Sequence, residues 1–191
     1  MPPTRQRRIA MMGYRSVGKT SLVLRFVTCK FDEGYDPTIE NTYTKSVNVA
    51  GQVYQLQVID TAGQDEYSVT PNDYYMNVDG YILVYSITSQ RSLDIIKLIY
   101  NKISDMKGKI WVPIVLVGNK TDLEEDRAVT MEDGKKLADE WSIPFLEVSA
   151  KTDEVTTKDI KGSRSVEEVF AQLIKAIQRR ETVKDKNCLV S

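Results

Sequence analysis

Residues 13–20 of the chain read GYRSVGKT, which matches the phosphate-loop pattern GxxxxGK(S/T). An apolar run, Arg8–Gly13, precedes this stretch, and Lys19–Cys29 after it has a helical pattern, so the stretch is predicted to join a strand to a helix. In such a loop, glycines let the backbone approach a ligand closely, and backbone N–H groups at the helix start point toward phosphate oxygens. Lys19 adds a full positive charge, and the Thr20 hydroxyl can bind Mg²⁺. The stretch therefore predicts a nucleoside triphosphate site.

Outside this loop, short apolar runs alternate with helical patterns, which is typical of an α/β protein. Residues Ser46–Asp60 form two alternating segments joined at Ala50-Gly51 and predict a β-hairpin. Near-continuous apolar runs predict buried strands within Gly80–Ser86, Trp111–Asn119 and Ile143–Ser149. Helices are expected at Lys19–Cys29, Arg91–Met106, Met131–Trp141 and Val166–Arg180, and irregular segments at Asp32–Tyr43, Thr61–Asn77 and Thr152–Arg164. We therefore expect a six-stranded, mostly parallel sheet with one antiparallel edge strand, flanked by about five helices.

The bulk composition narrows the possible functions. The chain has 191 residues, a net charge of −1, and 41% hydrophobic and 28% charged residues. This length suits one domain, expected at residues 1–181, followed by a flexible C-terminal tail at 182–191. The near-neutral charge gives no reason to expect nucleic-acid binding, and we expect a monomer. The chain has no histidine, which excludes Ser-His hydrolases, Cys-His proteases and histidine-ligated zinc sites.

Four further motifs follow the phosphate loop in a fixed order: YDPTIEN (Tyr35–Asn41), DTAGQ (Asp60–Gln64), NKTD (Asn119–Asp122) and SAK (Ser149–Lys151). With the phosphate loop, they make the chain from Arg5 to Lys151 resemble the Ras superfamily of small GTPases. The resemblance implies the P-loop small GTPase fold, binding of GTP and GDP with Mg²⁺, and hydrolysis of GTP. A kinase of small molecules that uses a phosphate loop is a different interpretation, but the sequence shows no acceptor site or lid.

Chemistry supports guanine as the base. Guanine presents an N1–H and an exocyclic amine side by side, so the carboxylate of Asp122 can accept both hydrogen bonds. Adenine would leave that carboxylate desolvated and unpaired, which disfavours ATP strongly. In the resemblance, Asn119 reaches the base edge, the stem of Lys120 packs on the ring, and the Ala150 N–H meets the guanine oxygen.

The resemblance implies a larger nucleotide-binding set, in which Phe31 covers the base and Asp32 lies near the ribose. The complete set is Ser16, Val17, Gly18, Lys19, Thr20, Ser21, Phe31, Asp32, Tyr35, Thr38, Gly63, Asn119, Lys120, Asp122, Ser149, Ala150 and Lys151.

The resemblance also implies the metal and catalytic residues. Mg²⁺ would be bound by the hydroxyls of Thr20 and Thr38 and, through a water molecule, by Asp60. Gln64 would orient the attacking water, helped by Lys19 and Thr38. Because Thr38 and the Gly63 N–H need a γ-phosphate for their contacts, Asp32–Tyr43 and Thr61–Asn77 would act as switches. The effector loop would consist of Tyr35, Asp36, Pro37, Thr38, Ile39, Glu40, Asn41, Thr42 and Tyr43.

Two residues indicate the branch of the superfamily. Asn41 after TIE and Arg15 in the phosphate loop are most similar to the Rheb branch, whereas Ras and Rap typically have aspartate and glycine there. That similarity implies a Rheb-like switch with the TOR kinase complex as effector and a GAP of the tuberin class. A Ras- or Rap-like signalling GTPase, and a GTP-binding scaffold with negligible hydrolysis, remain the alternatives.

The sequence leaves three possible roles for Arg15. By family geometry it lies beside the γ-phosphate and near Gln64. It can crowd Gln64 and slow hydrolysis, point into solvent, or act as an arginine finger in cis.

The chain ends in CLVS, a CaaX signal that predicts farnesylation of Cys188. One lipid gives only reversible membrane binding. The segment Arg179–Lys186 has two net positive charges, which would add about 2 kcal/mol of binding at an anionic surface. We therefore expect weak association with the cytoplasmic face of endomembranes (lysosome or vacuole, ER or Golgi) and a cytosolic pool.

Overall fold

The computed structural model describes residues 3–31, 40–65, 76–108, 110–152 and 165–188. Within these ranges, six strands form one sheet: β1 (Arg5–Met12), β2 (Glu40–Val49), β3 (Gln52–Thr61), β4 (Gly80–Ser86), β5 (Ile114–Asn119) and β6 (Phe145–Val148). Four α-helices surround it: α1 (Lys19–Thr28), α2 (Gln90–Met106), α3 (Met131–Trp141) and α4 (Ser165–Cys188). A fifth, 3₁₀ helix spans Thr121–Asp126.

The strand order is β2-β3-β1-β4-β5-β6, and β2 is the antiparallel edge strand of an otherwise parallel sheet. β4 and β5 are buried along their whole length, as near-continuous apolar runs require when helices cover both faces. β2 instead alternates between half-buried and exposed residues, as suits an edge. The predicted fold is confirmed.

The β2–β3 hairpin turns at the predicted residues. Ala50 and Gly51 both have positive φ, 51° and 81°, as the two central residues of a type I′ turn require. The Gly51 N–H also donates to the Asn48 side chain.

The first strand of this hairpin begins earlier than the sequence pattern predicts. Residues Glu40–Tyr43 are part of β2, so their expected irregular conformation is wrong. They pair with the whole carboxyl end of β3, with Glu40 opposite Thr61 and Asn41 opposite Asp60. Hydrogen bonding to the buried end of β3 therefore decides the conformation of residues 40–43, which have little apolar pattern of their own.

Each face of the sheet is covered by two helices. On one face, α1 and α4 bury a cluster in which the rings of Phe26 and Phe170 stack with centroids 3.7 Å apart. On the other face, α2 and α3 cover a second apolar cluster, to which α2 contributes Ile96 and Ile103.

The last helix is longer than the predicted Val166–Arg180. It continues to Cys188, because no glycine or proline interrupts the chain after Arg180. Glu181 on this helix forms ion pairs with Arg5 and Arg7 at the start of β1. The division into a domain and a tail after residue 181 stays a prediction. No helix in the described ranges is long and apolar enough to cross a membrane.

The Phe26–Phe170 stack gives a stability prediction. Phe170→Ala should lower the free energy of unfolding by about 3–5 kcal/mol, because it removes a fully buried ring and leaves a cavity between α1 and α4. Urea unfolding at one saturating GDP concentration measures the change. Leu98→Ala on α2, where the side chain is 51% exposed, is the control and should change the value by less than about 0.5 kcal/mol.

Candidate functional site

The phosphate loop connects β1 to α1, as predicted. Gly18 has φ 93°, and a Cβ at this position would lie 2.3 Å from the Asn119 amide nitrogen. That amide nitrogen donates to the Val17 carbonyl at 2.9 Å. A side chain at position 18 would therefore disrupt both the loop and its contact with the NKTD motif. Of the other predicted loop residues, Ser16 is exposed with φ 59°, and Ser21 is half-buried in the first turn of α1.

The ammonium group of Lys19 is held across the loop. Lys19 is 6% exposed, and its Nζ donates to the carbonyls of Gly13 at 3.1 Å and Tyr14 at 3.0 Å. Burial lowers the pKa of Lys19 to about 8, although the nearby Asp60 carboxylate partly opposes this. A buried cation with two neutral acceptors is well placed to bind phosphate oxygens.

Thr20 and Asp60 meet at the carboxyl end of the sheet. The Thr20 hydroxyl donates to Asp60 Oδ2 at 2.6 Å, and Asp60 is fully buried at the end of β3. This pair of hard oxygen donors fits the Mg²⁺ site that the resemblance implies. Within the described ranges, no three carboxylate or thiol side chains come together.

The DTAGQ loop packs against the phosphate loop. The Gln64 N–H donates to the Gly13 carbonyl at 3.0 Å, and a Cβ on Gly63 would lie 2.4 Å from Arg15 Cα. The Gln64 side chain is buried, yet neither of its amide atoms has a hydrogen-bond partner among the described residues. Such orphaned atoms are costly. A phosphate oxygen or an attacking water would satisfy them, so this residue fits its predicted role.

Arg15 lies at the surface of the loop. Its guanidinium group is 5.4 Å from the centroid of the Tyr14 ring, and Arg91 of α2 lies at the same distance from that ring. The structure thus places the Arg15 side chain on a neighbouring aromatic ring. Its role in hydrolysis stays a prediction.

The guanine-recognition motifs meet because β5 and β6 are parallel neighbours, with Asn119 opposite Val148. The Asn119 side chain accepts from the Ala150 N–H at 3.3 Å. The Ser149 hydroxyl donates to Asp122 Oδ1 at 2.6 Å and accepts from the Lys151 N–H at 3.1 Å. The Ser149 hydroxyl thus orients the Asp122 carboxylate, which is predicted to recognise guanine.

Two residues complete the base pocket. Lys120 has φ 73° at the start of the 3₁₀ helix, and burial lowers its pKa while Asp122 partly opposes the change. Phe31 is half-buried against the core cluster between the sheet and the helices α1 and α4. Both positions suit packing against a planar base.

The remaining predicted residues fall into three groups. Asp32, Tyr35, Asp36, Pro37, Thr38 and Ile39 lie outside the described residues. Glu40, Asn41, Thr42 and Tyr43 lie on the edge strand β2. Cys188 is the last residue of α4.

Sequence reasoning missed an ion pair behind the guanine site. Arg127 donates two hydrogen bonds, at 2.8 and 2.9 Å, to the fully buried carboxylate of Glu147 on β6, and a further pair to Glu124. These bonds raise the pKa of Arg127. The pair ties the segment after NKTD to the strand that leads into SAK. A lone glutamate within the apolar run IPFLEVS was the available signal.

Arg25 on α1 was missed as well. Its guanidinium group contacts the SAK loop by donating to the carbonyls of Ala150 and Lys151. Nothing in the local pattern of α1 singles out this residue.

Comparisons with known proteins agree with this geometry. A model of the Ras family matches residues 8–179. The GTP-binding protein Rheb homolog of Drosophila melanogaster is 52% identical over 191 residues, covering 99% of this chain and 100% of that protein. The human GTP-binding protein Rheb is 56% identical over 151 residues, covering 79% and 82%. The GTP-binding protein rhb1 of Schizosaccharomyces pombe is 43% identical over 191 residues, covering 100% of both.

The chain belongs to the Ras family of small GTPases. It binds guanine nucleotide and hydrolyses GTP. Within the family it is a Rheb-like small GTPase, as the similarity of Arg15 and Asn41 to that branch predicts.

The lowered pKa of Lys19 gives a pH prediction. Bound phosphate favours the charged ammonium, so affinity is highest below the pKa of the nucleotide-free protein and falls as the pH rises through it. With a pKa of about 8, affinity for GDP should fall about fourfold from about pH 7 to about pH 8.5, following the protonated fraction of Lys19. Titration with fluorescent GDP at constant Mg²⁺ measures this. Lys120→Arg should show the same dependence of GDP affinity on pH as the unmodified protein. An affinity of the unmodified protein that stays constant over this pH range would contradict the prediction.

Proposed function

We propose that this Rheb-like GTPase is a Mg²⁺-dependent, lipid-anchored switch that signals to the TOR kinase complex through residues 35–43. A GAP of the tuberin class would accelerate its hydrolysis of GTP. The site of action would be the cytoplasmic face of endomembranes.

The proposal of a switch rests on the register between β2 and β3. Asn41 pairs with Asp60, and Glu40 pairs with Thr61. The last four residues of the proposed effector segment therefore lie on the edge strand that pairs with β3, whose end carries the proposed Mg²⁺ residue Asp60. The next residues of the chain, Gly63 and Gln64, contact the phosphate loop. A change at the γ-phosphate would therefore reach the effector surface through one hairpin.

Hydrolysis would use Lys19 and Gln64. Bound Mg²⁺ would neutralise charge on the phosphates. Lys19 would bind β- and γ-phosphate oxygens with a cation that burial has already desolvated. Gln64 would orient the attacking water through its buried amide; an amide is no strong base, so its contribution is positioning.

Two observations favour the TOR kinase complex over a Ras-type effector. The curated relatives at 43–56% identity described above are named Rheb, Rheb homolog or rhb1. Asn41, where Ras and Rap typically have aspartate, is exposed on the edge strand, where a partner can contact it. An amide there presents no charge to basic residues of a Ras-binding domain.

Effector binding tests this proposal. Full-length protein loaded with a non-hydrolysable GTP analogue should bind the purified TOR kinase complex at least about tenfold more tightly than the GDP form, as expected for a coupling of this kind. Asn41→Asp should weaken that binding. Asn48→Asp is the matched control, because Asn48 is exposed on the same strand outside the effector segment. Preference of the unmodified protein for a Ras-binding domain would instead indicate a Ras- or Rap-like effector.

Membrane association has its own test. The farnesylated protein should bind vesicles that contain anionic lipid, and rising salt should weaken the binding because the basic segment near residue 184 is screened. Cys188→Ser should remain in solution in a vesicle co-sedimentation assay. Equal binding of Cys188→Ser would contradict a lipid anchor at this position.

A further inference from the structure

The side chain of Arg25 bridges three carbonyl groups. Its Nε donates to Ala150 O at 2.8 Å, one terminal nitrogen donates to Lys151 O at 2.5 Å, and the other donates to Cys29 O at 3.3 Å. The first two acceptors lie about 125 residues away in sequence, in the SAK loop. The third lies directly after α1.

These carbonyls belong to two segments of the chain, each of which carries a predicted base-binding residue. Cys29 caps α1 with φ 58°, its N–H donates to Arg25 O, and two residues later the chain reaches Phe31. The resemblance assigns the Ala150 N–H to the guanine oxygen. The carbonyls of Ala150 and Lys151, which come next along the backbone, accept the hydrogen bonds from Arg25. One guanidinium group therefore ties the end of α1 to the SAK loop.

The chemistry of this bridge requires arginine. The acceptors need N–H groups that diverge in one plane, as the fork of a guanidinium provides. A lysine ammonium can occupy one part of this space and satisfy some of the carbonyls, whereas glutamine has a single NH₂ group on a shorter side chain. The charged donor also makes each bond stronger than a neutral one.

The position of Arg25 on α1 extends the effect. Lys19, which faces the phosphates, begins the same helix, and Arg25 lies about 9 Å further along its axis. The helix thus connects the phosphate end of the nucleotide to the base end by one rigid element.

We propose that Arg25 is a positioning residue that sets the residence time of guanine nucleotide by holding the two walls of the base pocket together. The inference rests on guanine-nucleotide binding and on the roles of Phe31 and Ala150 in the proposed site. It does not depend on the identity of the effector.

Release of fluorescent GDP from the full-length protein, with Mg²⁺ and excess unlabelled GDP, tests the proposal. Arg25→Gln should release GDP about tenfold faster, because the hydrogen bonds that a charged donor makes to three backbone carbonyls are lost. Arg25→Lys should release GDP at a rate between those of the unmodified protein and Arg25→Gln. Arg5→Gln is the matched control, since Arg5 is half-exposed in an ion pair with Glu181 far from the base, and it should leave release unchanged.

Single-turnover hydrolysis of preloaded GTP separates positioning from general disruption. Because Lys19 and Gln64 are not bonded to Arg25, hydrolysis in Arg25→Gln should stay within about twofold of the unmodified protein, which is an effect of less than one hydrogen bond. Unchanged release of GDP, or a loss of hydrolysis as large as the gain in release, would overturn the proposal. A failure of guanine binding altogether would show in the unmodified protein, which would then retain no GDP.

Discussion

The two hydrogen bonds of the Asn119 side chain hold the nucleotide site together. Its nitrogen donates to the phosphate loop at Val17, and its oxygen accepts from the SAK loop at Ala150. Asn119 is 1% exposed, so both bonds are made in a dry environment where losing either partner is costly. Three motifs that are separated by about 30 to 100 residues therefore keep one relative position. The guanine selectivity that the resemblance implies would depend on this arrangement, because Asp122 and Ala150 would both act on the same base.

The parallel sheet is what brings these motifs to one edge. β1, β3, β5 and β6 all end on the same side. The phosphate loop and Ser149 follow the ends of β1 and β6, and Asp60 and Asn119 lie at the ends of β3 and β5. Ligands bind at this edge in open α/β sheets because helix N-termini and loop N–H groups also point there. The antiparallel β2 is the exception, and this direction puts residues 40–43 beside the end of β3.

The site also contains groups whose burial is unfavourable until a ligand arrives. Lys19 is desolvated enough to lower its pKa, and the amide of Gln64 is buried with neither polar atom hydrogen-bonded among the described residues. Nucleotide and water would compensate both. Burial of these groups destabilises the nucleotide-free protein. Because bound GTP and water would satisfy them, the same groups contribute to the affinity and orientation of the nucleotide.

The sequence by itself determined the fold class, the approximate place of most strands and the order of the motifs, because apolar periodicity and short motifs are local properties of the chain. It also indicated the Rheb branch through Arg15 and Asn41. It could not give the strand conformation of residues 40–43 or the roles of Arg25 and Glu147. The strand and the two roles come from partners distant in sequence: β3 for the edge strand, the SAK loop for Arg25 and Arg127 for Glu147. A contact between residues more than 100 positions apart leaves no local pattern, so only the tertiary structure decided which arginine holds the guanine pocket.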